Sequence, residues 1–245
     1  MKVNAHETTL GGRVTVFRKP VPGRTYAIGI DTASGKSNSN DTSATVLCVN
    51  DGRQDAICAG SITPDDMGVI AESLGYYYNE ATLAVENEKH GVTVISYLLK
   101  REYPKIYIHP IKLASATGKA ANEFGWDPTR NRQTAIDWLQ TDIGYAISTM
   151  EEERKKAVYV FDATTITQLG FFVQNKKTGK YQAAGGQKDD RVSSLYIANF
   201  VRRELYADIF RPPPLPEPEK TFLDKLMEQS QMDKRDDRGM GPREL

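Results

Sequence analysis

The chain has 245 residues, 39% of them hydrophobic, and its 32 Lys and Arg balance its 32 Asp and Glu. That is enough apolar material for one large or two small cores, and 12 Tyr, 8 Phe and 2 Trp exclude wholesale disorder. Zero net charge excludes a partner held by global electrostatics, so a nucleic-acid surface would need locally segregated charge.

In chain order, residues 1–24 are polar apart from Val14-Thr15-Val16-Phe17, and Lys19-Pro20-Val21-Pro22-Gly23 turns the chain. They are expected to form a linker or edge strand leading into a domain over 25–210. Tyr26-Ala27-Ile28-Gly29-Ile30-Asp31 alternates large and small residues, as a strand packed on both faces does, and delivers one acid to its carboxyl end. After a Gly/Ser/Asn loop, Ser43–Val49 and Ala56–Ile62 flank the hairpin signal Asp51-Gly52. Three antiparallel strands are therefore expected. The two cysteines, Cys48 and Cys58, lie within these runs and are expected as reduced core thiols.

Thr63-Pro64-Asp65-Asp66 opens a helix reaching about Tyr78. Ala81–Val85 is a strand ending on Glu86, and Gly91–Lys100 a helix with Val92, Ile95, Leu98 and Leu99 at helical spacing. Ile106-Tyr107-Ile108 is the next strand. This alternation predicts parallel additions to the sheet, with helices on both faces. Residues 110–128 read as a loop. A helix follows from Arg130 to about Met150, with Ile136, Leu139, Ile143 and Ile147 inward, and the charged run Glu151–Lys156 ends it. Val158–Val160 is a short edge strand; Phe171–Gln174 and Tyr181–Ala184 form a hairpin; Asp189–Tyr206 is the last helix. The proline-rich run from Arg211 opens a charged tail, 211–245, expected to be disordered. No leader pattern opens the chain and no run approaches the ~18 apolar residues of a membrane span, so a soluble intracellular protein without a membrane partner is expected.

Asp31, Glu86 and the pair Asp189-Asp190 occupy comparable places, at two strand ends and one helix start. Sites in open sheets lie outside the carboxyl ends of neighbouring strands. If those strands are neighbours, the acids converge, and carboxylates that close repel unless cations bind between them. Two divalent ions with oxygen ligands, Mg²⁺ or Mn²⁺, suit such a set and the clamping of a phosphodiester. Singly, each acid is equally consistent with a turn, a strand end or a helix cap. Lys36, Lys89, Arg130, Arg132, Lys176, Lys177 and Lys188 are the candidate DNA contacts, Arg130 and Arg132 because cations at a helix start oppose its dipole and invite a phosphate. The run Gly29 to Ser37 imitates a phosphate-binding loop, but it has five residues between glycines instead of four and no apolar-faced helix after it.

The run Arg18 to Asp31, Asp41-Thr42-Ser43-Ala44, Val85-Glu86-Asn87 with Gly91, Phe124-Gly125-Trp126 leading to Thr129-Arg130-Asn131-Arg132, and Gly186-Gln187-Lys188-Asp189-Asp190 after a hairpin resemble the nuclease domain of tailed-phage terminase large subunits. The resemblance runs from about Thr15 to Tyr206 and implies an RNase H-like fold. It implies that Asp31 bridges two metal ions, that Glu86 holds the leaving-side ion, and that Asp189 holds the water-activating ion with Asp190 auxiliary and Asp41 supporting. The family often has His where Lys188 stands, which puts histidine-assisted proton transfer in doubt. The implied reaction is endonucleolytic cutting of concatemeric double-stranded DNA in the host cytoplasm, with an upstream ATPase domain, a small terminase subunit and a portal protein as partners. Competing readings are another RNase H-like nuclease of the junction-resolvase or transposase type, an actin-like or sugar-kinase-like ATP-binding module, and a catalytically idle docking module.

Overall fold

The computed structural model describes residues 7–9, 13–36, 41–109, 123–176, 179 and 181–210. A six-stranded mixed sheet carries the site. Its strands are β1 (Glu7–Thr9), β2 (Val14–Val16), β3 (Tyr26–Asp31), β4 (Thr42–Cys48), β5 (Gln54–Gly60) and β6 (Thr82–Val85), in spatial order β1-β2-β5-β4-β3-β6. β3, β4 and β5 form the expected antiparallel set, and β6 lies parallel to β3 with Val85 opposite Ile30. Ile106 bridges in parallel to Leu83 beyond β6, so the parallel side continues. This is the mixed sheet, antiparallel strands then parallel additions, that the alternation of elements predicts, and it agrees with the RNase H-like fold that the resemblance implies.

The segment before β3 is tied to the sheet. β1 pairs with β2 and β2 with β5. Arg18 donates to Asp51 (2.8 Å) and to Asp55 (3.0 Å), which fastens the approach to β3 onto the β4–β5 hairpin.

Strand side chains alternate between faces. Tyr26, Ile28 and Ile30 of β3, Val46 of β4, and Leu83 and Val85 of β6 join a core under α1 (Pro64–Tyr77) and α2 (Gly91–Lys100). Thr63 caps α1 by accepting from the Asp66 amide at 3.2 Å, and Pro64 follows it in the first turn. On α2 the buried residues are Val94, Ile95 and Leu98; Val92 and Leu99 are about half exposed, because α2 covers the sheet with a narrow stripe only.

The other face carries Ala27, Leu47 and Ala84 against α6 (Asp190–Leu205) and α3 (Pro128–Tyr145). α6 lies directly on β3. A Cβ on Gly29 would stand 2.2 Å from the Ser194 carbonyl oxygen and 2.3 Å from the Ala198 amide, so only glycine admits the helix. Thr45 and Ser194 hydroxyls bond across the same contact at 2.8 Å. Farther along α6, the buried Arg202 donates to the carbonyls of Val49 (3.1 Å) and Lys156 (2.9 Å), tying helix, hairpin and α4 (Glu151–Lys156) together.

Several boundaries differ from the sequence reading. α3 starts at Pro128, capped by Asp127, and ends at Tyr145, so Ile147 lies beyond it and is 89% exposed. Glu151–Lys156 is a helix of its own, with acids in its first turn and bases in its last, as the dipole favours. β5 begins two residues earlier than Ala56. Ile108–His109 (β7) pairs with Glu123–Phe124 (β8), and Tyr159 makes a single bridge to Arg53. Helix α5 (Ala163–Phe171) is not foreseen by periodicity, since only Thr165 and Gln168 are buried. It leads into the expected hairpin, β9 (Phe172–Gln174) with β10 (Tyr181–Ala183), and the last element is α7 (Ala207–Phe210). Residues 211–245 lie outside the described residues.

Gly29→Ala is expected to lower stability by about 3 kcal/mol, because the clashing atoms are backbone and no rotamer relieves them. A thermal melt should show a fall of about 6–12 °C; an unchanged melting temperature would mean that the α6–β3 contact does not hold the fold.

Candidate active site

Parity places the first two acids. Asp31 shares the face of Ala27 and Gly29, and Glu86 that of Ala84, so both point towards α6 rather than towards α1 and α2. Register then sets them side by side, since Ile30 pairs with Val85 and the Glu86 amide donates to the Ile30 carbonyl at 3.0 Å. The chain leaving β6 is clamped. Trp126 donates its amide to Val85 (2.7 Å), Asn87 donates to Trp126 (2.8 Å), and Gly91 approaches so closely that a Cβ there would sit 1.8 Å from the Glu86 carbonyl oxygen.

The start of α6 supplies the other acids. Asp189 holds the N-cap position, and its Oδ2 accepts from the Ala183 amide at 3.3 Å. Asp190 is buried in the first turn. Its carbonyl accepts from the Ser43 hydroxyl (2.6 Å) and its Oδ2 from the Asp41 amide (3.1 Å). Asp41 is itself ion-paired through Oδ1 to Lys188 Nζ at 2.7 Å. Asp31, Glu86, Asp189 and Asp190 line one open cavity of about 500 Å³.

Burial raises the Asp31 carboxyl well above its ordinary range, and Glu86 and Asp190 push it further; Ser193 opposes them by hydrogen bonding. Burial also raises Glu86, against which Arg132 and Lys89 act. Asp190 is pushed up to about 6 by burial first, with the Asp41 amide opposing and Asp189 and Asp41 charges adding. Asp31 and Glu86 interact directly, and two carboxylates that close are relieved by a proton or a cation between them. A cation is the natural replacement for that proton, and the surrounding donors are carboxylate oxygens, which suit a hard divalent ion. Among the described residues no three His, Cys, Asp or Glu side chains are preassembled as a metal cage. The acids surround a common space that cation binding would have to draw closed.

The bases divide. Lys89 and Arg132 line the acid cavity, and Arg132 also lies 5.9 Å from the centre of the Tyr196 ring. Arg130 is paired with Asp127 at 3.0 Å and faces a neighbouring groove. Lys188 is committed to Asp41. Lys36 follows the strand-end loop, with its amide 3.4 Å from Ser34 Oγ, and Lys176 is exposed in the β9–β10 turn. Lys177 lies outside the described residues. Sequence reasoning missed Thr32, Ser34, Glu88 and Ser193 as cavity residues; His90, beside Lys89, lines it too. Ser193 carried a signal: it sits one helical turn after Asp189 and Asp190, on their side of the helix.

With divalent ions removed, a carboxyl whose folded value is raised binds its proton more tightly in the native state, so it makes stability fall as pH rises from about 4 to about 6. Asp190→Asn removes that cost and keeps an acceptor for the Asp41 amide. It is expected to raise the melting temperature of the ion-free protein at pH 8 by a few degrees, corresponding to about 1–2 kcal/mol, and to have little effect at pH 4. A lowered melting temperature at pH 8 would show that the acid is not under electrostatic strain.

No protein-family model matches the sequence, and no curated protein does. Among solved structures, the large terminase nuclease of thermophilic phage G20c with bound cobalt aligns with a TM-score of 0.57 at 18% identity, over 80% of this chain and 89% of that one. The same nuclease with bound magnesium gives 0.56 at 19% identity over the same shares. The large terminase nuclease domain of Thermus phage P74-26 gives 0.51 at 18% identity, over 76% and 84%. The likeness is one of fold: the chain has the RNase H-like architecture of phage large terminase nuclease domains.

Proposed function

We propose that the chain is the metal-dependent DNA endonuclease domain of a viral DNA-packaging terminase. The observation that carries this reading is the pair Asp31 and Glu86, adjacent at the carboxyl ends of parallel strands, facing Asp189 and Asp190 at the start of α6. Similar folds bound to cobalt or magnesium support a divalent-ion site. Its substrate on this reading is concatemeric double-stranded DNA, and its partners are an upstream ATPase domain, a small terminase subunit and a portal protein in the host cytoplasm. Among the described residues no helix is long and apolar enough to cross a membrane.

Asp31, Glu86 and Asp189 would hold two divalent ions, Mg²⁺ or Mn²⁺, with Asp190 as auxiliary ligand. Bound there, such ions supply an activated water and stabilise the leaving oxygen of a phosphodiester. The remaining work falls to this chain's own groups. Ser193 and the Asp41 amide fix the rotamers of Asp31 and Asp190. Lys89 and Arg132 present positive charge to the phosphate at the mouth of the acid cavity. Lys188 works through Asp41, by keeping the 41–43 backbone against α6.

Asp31→Ala, Glu86→Ala and Asp189→Ala should each reduce Mn²⁺-dependent plasmid cleavage to background with the circular dichroism spectrum retained. Cleavage by the Asp31 variant would overturn the reading. Arg132→Ala should reduce the salt dependence of DNA binding by about one phosphate contact, a change of about 0.9 in the log–log slope. An unchanged slope would leave Arg132 as a packing partner of Tyr196.

A further inference from the structure

The mouth of the acid cavity opens, at Arg132, onto a second groove of about 490 Å³ between the first turns of α3 and strand β10. Arg132 lines both. The two spaces differ in charge. The cavity is walled by five acids, Asp31, Glu86, Glu88, Asp189 and Asp190, whereas among the described residues no acidic side chain lines the groove. The groove is lined by Arg130, Arg132, Gln133 and Gln182; Arg130 is paired with Asp127 at 3.0 Å and Gln133 donates its Nε2 to Asp137 at 2.8 Å, which leaves its carbonyl oxygen, Arg132 and Gln182 as further polar groups. Beneath these lies apolar surface from the buried Ile136, and beside them the ring of Tyr181, stacked on Phe172 at 5.9 Å and 24°.

Cationic and amide groups above an apolar floor, with an aromatic edge, match the backbone of a duplex strand: phosphate oxygens to the guanidinium and amide groups, deoxyribose to the apolar surface. A volume near 490 Å³ is within the range of small-ligand sites. We propose that this groove is a nucleotide subsite that holds the residue of the cut strand adjoining the scissile phosphate. The inference rests on the nuclease reading for the identity of the neighbouring cavity, and it adds which surface guides the strand to it. Arg130, pinned by Asp127 at 3.0 Å, and Arg132, shared between both spaces, then bind successive phosphates.

The test is binding of a fluorescein-labelled 30-base-pair duplex, read by anisotropy in EDTA, alongside Mn²⁺-dependent plasmid cutting by the wild type. Gln133→Glu and Gln182→Glu each place a negative charge in the groove and should weaken duplex binding about tenfold, as a like charge close to a phosphate does. Gln140→Glu makes the same change of net charge at an exposed position of α3 that does not line the groove, and should bind within about twofold of wild type. Melting curves accompany each variant, and if Gln133→Glu fails to fold, Gln182→Glu on the hairpin carries the comparison. Equal binding by all variants, or equal weakening that includes Gln140→Glu, overturns the groove, and if wild type still cuts plasmid the nuclease reading survives. Selective weakening with no cutting by wild type in Mg²⁺ or Mn²⁺ leaves the groove as a DNA-binding surface but overturns the nuclease reading and, with it, the assignment to a scissile phosphate.

Discussion

The constraint on which the site depends is the seat of α6 on β3 at Gly29. Side chains can adjust to one another by changing rotamer, but here backbone meets backbone, with the Ser194 carbonyl and the Ala198 amide occupying the place of a Cβ. The small residues on that face of the sheet, Ala27, Ser43, Thr45 and Ala84, extend the same clearance across three strands. Asp190 precedes Ser194 by one helical turn, so a contact fixed at Gly29 fixes the acid about 6 Å farther along the helix axis. β3 in turn carries Asp31 two residues beyond Gly29, on the same face. The distance between the two acids is thereby set by packing that neither acid takes part in. Such a contact has little freedom to drift, because densely packed interiors do not deform continuously.

That rigidity brings like charges together, which sets the site apart from the other buried charges. Asp142 is fully buried but receives Arg203 Nε at 2.8 Å and Asn199 Nδ2 at 2.8 Å. Arg202 is fully buried and is satisfied by carbonyls at the end of α4 and after β4. Asp55 is fully buried beside Arg18 at 2.9 Å. In each case the partner is of opposite sign or is a hydrogen-bonding dipole, as burial of charge demands. Asp31, Glu86 and Asp190 instead face one another. Burial raises the proton affinity of all three, neighbouring carboxylates push Asp31 and Asp190 further, and a proton or another cation in the gap relieves that repulsion.

The strands and acids of this site were legible in the sequence because period-two alternation and the position of an acid at a strand end are local signals. Asp31 and Glu86 are read that way and the Asp189-Asp190 pair as a helix start; parity and the parallel register bring the first two to one face, and the packing of α6 on that face brings the pair. Helix α2 was legible to its ends, Gly91–Lys100, but its inward side chains are Val94, Ile95 and Leu98 and not Val92 or Leu99, since five aliphatic positions in ten do not decide a rotation without a partner. Helix α5 was hidden by its composition. Ala163-Thr164-Thr165-Ile166-Thr167 is rich in β-branched residues, which disfavour helix, and what forms it is the Asp162 cap bonded to the Thr165 amide (2.8 Å) and hydroxyl (2.7 Å). Lys188 carried no local sign of its pairing with Asp41, 147 residues away. The fates of surface bases depend on neighbours that only the fold supplies, which is why Arg130, Arg132 and Lys188 read alike in sequence and differ in place.

Zero net charge and an anionic substrate are compatible on the nuclease reading because the chain separates its charges over a short distance. A cavity with five acids repels a phosphodiester, whereas the groove beside it attracts one, and the two meet at a single guanidinium. The Debye length at physiological salt, about 8 Å, is comparable with the size of either space, so a strand in the groove feels mostly the groove and a phosphate in the cavity mostly the acids. Binding and cutting then depend on different charges. On that reading DNA is held by the guanidinium groups whether or not the acids are neutralised, but its phosphate approaches Asp31 and Glu86 only once cations offset their charge. Ion occupancy thus acts on the last few ångströms of approach rather than on capture.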